Sequence, residues 1–155
     1  MKIITRSISR KTRGDGDTLD ITGDLEALLT ASGLGEGMAH LFIGGSTAGL
    51  TTLEFESGVI EDLAEVFETL APADRDWRHH QRWGDHNGHS HIRSALLGPN
   101  LAVPFVKGQL TLGTWQQVVL IDFDETPLQA DEKLDLVAFD MLCGPMQGAT
   151  TNLMP

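Results

Sequence analysis

The chain is short of cations, thiols and long apolar runs, and each shortage removes a class of function. Its 11 Lys and Arg face 22 Asp and Glu, for a formal net charge of -11. Counterion release on a nucleic-acid backbone needs clustered Lys and Arg, so no nucleic-acid partner is expected. A small phosphate ligand survives this test, because one or two local cations and a few backbone N–H groups suffice for it. The single cysteine, Cys143, forbids an intramolecular disulfide and suits a reducing compartment. The opening Met-Lys-Ile-Ile-Thr-Arg has no apolar core of a leader, and no segment approaches a membrane span. A soluble cytoplasmic protein with no membrane partner is expected. Internal repeats, a domain linker and the G-x-x-x-x-G-K-[ST] phosphate loop are also missing.

What is present suits one domain of 155 residues with a proper core, since 41% of residues are hydrophobic. The 17 glycines imply many turns and a fold rich in strands. Strands are expected over 2–11, 18–21, 38–43, 50–55, 101–106, 109–112, 116–123 and 134–139. The first two are expected to pair as a hairpin through Gly14-Asp-Gly16. Val118, Val119, Leu120 and Ile121 form a nearly continuous apolar run, which suits a strand buried on both faces. Helices are expected over 24–32, stopped by Gly33, and over 59–70, capped by Ser57 and followed by Pro72. A short third helix is expected over 92–97. The domain is placed at 1–140, with an irregular tail at 141–155.

Five of the six histidines, His79, His80, His86, His89 and His91, fall between Trp77 and Ile92, in a stretch without apolar periodicity. A loop of that length inside a compact domain is usually functional or disordered, and Trp77 and Trp83 argue against disorder. His89-Ser-His91 puts two imidazoles on one face of an extended backbone, at most about 7 Å apart. On a helix they would diverge by about 200°. With His79 or His80 as a third nitrogen, this is the catalytic zinc pattern of three histidines and one open position. Not all five can be ligands, so His80 and His86 are set on the rim. Asp85 or Glu54 is the candidate general base, oxygen ligand or orienter of a histidine. Arg93, at the entry to a helix, suits phosphate, and equally suits a salt bridge to one of the many acids. Gly44-Gly-Ser-Thr-Ala-Gly49 could cradle phosphate through backbone N–H groups. Taken alone, a plain turn is the better reading of it.

Ser94-Ala-Leu-Leu-Gly-Pro-Asn-Leu-Ala-Val-Pro104 and Gly108-Gln-Leu-Thr-Leu-Gly-Thr-Trp-Gln-Gln117 resemble the YjbQ-type family, also called the secondary thiamine-phosphate synthase family. Trp83-Gly-Asp-His-Asn-Gly-His-Ser-His-Ile-Arg93 and Gly45-Ser-Thr-Ala-Gly-Leu-Thr-Thr-Leu-Glu54 resemble its Gly-His-Ser-His branch. The resemblance runs from about Thr5 to Phe139. It implies an α+β domain with a β-sandwich-like mixed sheet core and two to three helices, assembled as a homotrimer. It also implies a histidine-rich metal site near a subunit boundary. The family's reaction joins a pyrimidine pyrophosphate to a thiazole phosphate and releases pyrophosphate. By resemblance His79 and His91 are family histidines, and His89 replaces a ligand lost where this chain has Gly45. His80, His86 and Asn100 depart from the family pattern.

The resulting expectation is a trimeric metalloenzyme acting on a small phosphate-bearing substrate. His79, His89 and His91 hold the metal, zinc foremost, or magnesium with a pyrophosphate substrate. Arg93, Ser46, Thr47, Asn87 and Thr114 bind substrate, and Asp85, Glu54 and Arg93 serve catalysis. A metal-assisted hydrolase fits the same groups. So does a non-catalytic metal- or ligand-binding protein, for which a closed four-ligand sphere would speak. A scaffold with a pH-sensitive loop is the third reading.

Overall fold

The computed structural model describes residues 3–125 and, for the backbone, 134–141. The elements are β1 (Ile3–Arg10), β2 (Asp17–Asp20), α1 (Thr22–Ser32), β3 (Glu36–Ile43), β4 (Ala48–Leu53), α2 (Ser57–Leu70), α3 (Arg78–Trp83), α4 (Gly88–Leu97), β5 (Asn100–Val106), β6 (Gln109–Leu110), β7 (Gln117–Asp122) and β8 (Leu134–Met141). One sheet has the order β1-β8-β3-β5-β6 and the other β2-β7-β4. The expected α+β class holds, but every strand pair is antiparallel rather than mixed. Four helices appear among the described residues, where two to three were expected. The expected tail over 142–155 lies outside the described residues.

Strand β7 explains the layering. Successive side chains of a strand face opposite sides. Val118 and Leu120 therefore pack with Ile8, Ile21, Leu41 and Phe105 between the two sheets. Val119 and Ile121 pack with Phe123 and Phe67 against the helices. The run expected to be buried on both faces is buried on both faces, with exposures of 0–2% from Val118 to Ile121. The Phe67 and Phe123 rings meet edge to face, 4.8 Å between centroids.

Two local expectations change. Strands β1 and β2 do not form a hairpin, because β1 pairs with β8 in one sheet and β2 with β7 in the other. The turn between them is instead pinned to β7: the Asp15 N–H donates to the Asp124 carbonyl and Gly16 N–H to that of Asp122. At the start of α2, Glu56 rather than Ser57 is the cap, its carboxylate accepting from the N–H groups of Gly58 (2.7 Å) and Val59 (3.2 Å). Both observed acceptors satisfy N–H groups that a helix start leaves open. Gly33 ends α1 in the left-handed conformation, φ 67°, as expected of a glycine stop.

Candidate functional site

The histidine segment is largely helical. Residues 78–83 form α3, Gly84 ends it at φ 76°, and α4 begins at Gly88, before the His-x-His pair. The expected extended backbone at His89–His91 is therefore corrected. Helix α4 buries Gly88, His89, Ser90, Arg93 and Ser94, while Ile92 and Leu96 are 40% and 58% exposed. Its inward face is polar, so apolar periodicity gave no sign of it.

Backbone carbonyls hold that polar face. The Ser94 hydroxyl donates to the Ala48 carbonyl at 2.7 Å, and His91 Nδ1 lies 3.1 Å from the Ser46 carbonyl. The Thr47 carbonyl accepts from Phe123 N–H at 2.8 Å. These contacts of the Gly44–Gly49 loop use carbonyl acceptors, where the phosphate-cradle reading needed N–H donors. Two glycines let α4 approach. A Cβ on Gly49 would stand 2.7 Å from Leu97 Cδ2, and one on Gly88 would stand 2.8 Å from Trp77 Cβ.

His79 on α3 and His91 on α4 meet edge to face, 4.6 Å between ring centroids. A carbonyl can only accept, so His91 donates from Nδ1 and keeps a free lone pair on Nε2. His79 Nε2 is buried without a hydrogen-bond partner, and Asp85 Oδ1 lies 3.1 Å away, outside hydrogen-bond geometry. Both histidines line a cleft of about 570 Å³ together with Arg75, Trp77 and Arg78. That volume falls within the usual range of small-molecule sites. His80 and His86 face each other at 5.1 Å, away from this pair. His80 Nε2 accepts the Gly88 N–H at 3.1 Å and so anchors the start of α4.

His89 does not join His79 and His91. Two residues apart on a helix, it projects about 200° from His91. It is 2% exposed, and its Nδ1 lies 3.9 Å from Glu125. Among the described residues no group of three or more His, Cys, Asp or Glu side chains is placed to hold a metal ion. The expected three-histidine sphere, with His89 standing in for the ligand lost at Gly45, does not form within the chain. Burial, and then the neighbouring Arg93, hold the His89 imidazole below its ordinary value of 6.5. The unfolded chain therefore takes up a proton that the folded one refuses, and stability falls as pH drops below 6.5. Substituting His89→Gln is expected to flatten this acid-side loss. Urea midpoints of both proteins above and below that pH test it, and parallel slopes would clear His89 of the effect.

Arg93 is also spoken for. Its Nε and one terminal nitrogen donate to the Ala71 carbonyl at 3.0 and 2.8 Å, and the guanidinium pairs with Glu68. The salt-bridge reading holds, and two of the three guanidinium nitrogens, Nε and Nη2, are taken from the phosphate and catalytic roles expected of Arg93. Of the other expected residues, Ser46 touches the histidine pair through its carbonyl, and Asn87 carries a buried Oδ1 without a partner. Thr47 contributes its carbonyl to β7 instead. Glu54 lies beyond the other end of β4, beside Phe55, Trp115 and Gln117. Thr114 is exposed in the turn leading into β7. Glu54 and Thr114 are thus a strand's length from His91. Arg75 and Arg78 were missed by the sequence reading. Their signal was an Arg-x-Trp-Arg run in a cation-poor chain.

The model of the family described as UPF0047 protein YjbQ-like matches residues 6–134. The chain belongs to the YjbQ family. A UPF0047 protein of Methanothermobacter thermautotrophicus is 31% identical over 124 residues, covering 80% of this chain and 85% of that protein. One of Mycobacterium bovis is 33% identical over 120 residues, covering 77% and 90%. Among solved structures, a YbjQ-like protein of unknown function from Sulfolobus solfataricus superposes with a TM-score of 0.81 at 27% identity, covering 90% of this chain and 96% of that one. A conserved hypothetical protein from Thermus thermophilus gives 0.72 at 32% identity, covering 88% and 99%. These YjbQ-like neighbours share the α+β fold. No described helix is long and apolar enough to cross a membrane.

Proposed function

We propose that the α3–α4 cleft is an active site for a small phosphate-bearing molecule, with a reaction of the thiamine-phosphate synthase type. The observation that carries this reading is the His79–His91 pair. One imidazole is fixed in a single tautomer by Ser46, and the other keeps a buried, unpartnered nitrogen. A lone pair and an uncommitted nitrogen in one cleft are what proton transfer to or from a bound substrate requires. In the proposed reaction the thiazole nitrogen supplies an electron pair to the pyrimidine methylene carbon. The bond from that carbon to the pyrophosphate oxygen breaks, and pyrophosphate leaves with its electrons. A protonated imidazole at His79 or His91 would donate to the departing oxygens.

A divalent metal, zinc or magnesium, belongs to this reading with His79 and His91 as its nitrogen donors, but no step depends on it. Homotrimer formation belongs to it too, and would cover Ile92 and Leu96, which α4 turns outward. The expected result is pyrophosphate release when the purified protein is given the two thiamine precursors, with metal content measured on the same sample. A folded protein that releases none would overturn the named reaction. The non-catalytic binding reading would then lead.

A further inference from the structure

We propose that Arg75 and Arg78 are the anion-recognising wall of the α3–α4 cleft and take the phosphate or pyrophosphate group of its ligand. This rests on the reading of that cleft as the substrate site, and it moves substrate recognition from Arg93 to two residues outside the histidine motif. Arg10, Arg13 and Arg93 each pair with a carboxylate, from Asp24, Asp17 and Glu68. Arg75 and Arg78, like Arg6 and Arg82, make no ion pair among the described residues, although the chain holds 22 acidic side chains. Both instead line the cleft that His79 and His91 enter.

Arg75 is already positioned. Its guanidinium carbon lies 4.5 Å from the centroid of the Trp77 ring, and Trp77 is itself tied through Nε1 to the Pro72 carbonyl at 2.9 Å. Stacking uses the flat face of a guanidinium and leaves its N–H edges free, in the fork that matches two phosphate oxygens. Little side-chain freedom is then left to lose on binding. Arg78 opens α3 three residues later and adds a second fork. Asp76 is the one carboxylate among the lining residues, and its Oδ2 accepts from Gln81 Nε2 at 3.0 Å. Asp85 is not among the lining residues, and its Oδ1 lies 3.1 Å from His79 Nε2. Gly88 and His91 bring the first turn of the ten-residue α4 to the same cleft, where the positive end of its dipole favours negative charge although the N–H groups of Gly88, Ser90 and His91 are already engaged. Two guanidinium groups, two imidazoles and a helix start against the engaged Asp76 and the neighbouring Asp85 favour an anion there, in a chain of net charge -11.

The test is equilibrium binding of inorganic pyrophosphate to the full chain, followed by calorimetry without any second substrate. Arg75→Gln and Arg78→Gln are each expected to weaken binding by about tenfold or more, the loss typical of a charge-assisted hydrogen bond. Arg82→Gln, on the same helix but outside the cleft, should stay within about twofold. Arg75→Lys keeps the charge and loses the fork, so it too should bind more weakly. Unchanged affinity in the folded double variant Arg75→Gln/Arg78→Gln would overturn the proposal, as would a folded wild-type protein that binds no pyrophosphate. Pyrophosphate binding without turnover would sink the named reaction and leave this wall standing. Turnover with a binding constant indifferent to both arginines would do the reverse.

Discussion

Arg93→Ala is expected to lower folding stability by about 2–4 kcal/mol and to leave pyrophosphate affinity unchanged. The guanidinium is almost fully buried and supplies both donors to the Ala71 carbonyl at the end of α2. Ala71 is itself 0% exposed, so its carbonyl would be left without a partner and without water. An orphaned buried acceptor accounts for roughly 1–3 kcal/mol, and the packing lost with the Arg93 stem adds to it. Glu68 contributes little, because its side chain is 53% exposed and regains water when the pair is broken. Arg93→Lys should recover part of the loss, since an ammonium can donate to Ala71 but not as a fork. Urea unfolding of the three proteins measures this. If Arg93→Ala kept its stability and lost pyrophosphate affinity, Arg93 would return to the ligand site.

His91→Ala is expected to reduce pyrophosphate release by about 10²- to 10⁴-fold, the span typical of a lost general acid or base. The fold should survive, because the ring is only partly buried and makes one hydrogen bond, to the Ser46 carbonyl. His79→Ala should fall in the same range. His89→Gln should keep most of its turnover while changing its response to acid, because that ring sits on another face of α4. The three variants thus separate the histidines by position: two that act in the cleft and one that is internal. Unimpaired release by His91→Ala would remove the pair from the chemistry. Losses of equal depth in all three would restore a common role for His89.

Much of the fold was legible because its signals are apolar. The Val118–Ile121 run marked the strand shared by both cores, and Gly33 marked the end of α1. The His79–His91 region was legible as a place and not as a shape. Helix α4 inverts the usual pattern, with His89, Ser90, Arg93 and Ser94 inward and Ile92 and Leu96 outward. Its inward face is satisfied by carbonyls of residues 46–48 and 71, which no local pattern can anticipate. Read as an extended loop, the segment put His89 beside His91; folded as a helix, it sets them apart. Glu54 was drawn into the site as a carboxylate that could serve the histidines, and Thr114 as a phosphate contact; the length of β4 separates both from it. Sheet order was hidden for a similar reason, since the partner of β1 lies at the far end of the sequence.

That partnership constrains how the protein is made. In the five-stranded sheet β8 lies between β1 and β3, with Ile3 opposite Met141 and Met38 opposite the same residue on the other side. Among the described residues, strand β1 has no other neighbour in its sheet. During synthesis β1 must therefore wait for β8, more than 120 residues later in the chain. The edge of β3 stays open meanwhile, a template for pairing between nascent chains. Closure across so long a sequence separation is slow, whereas α4 docks on β4, about 45 residues away and in the other sheet, and does not depend on β8.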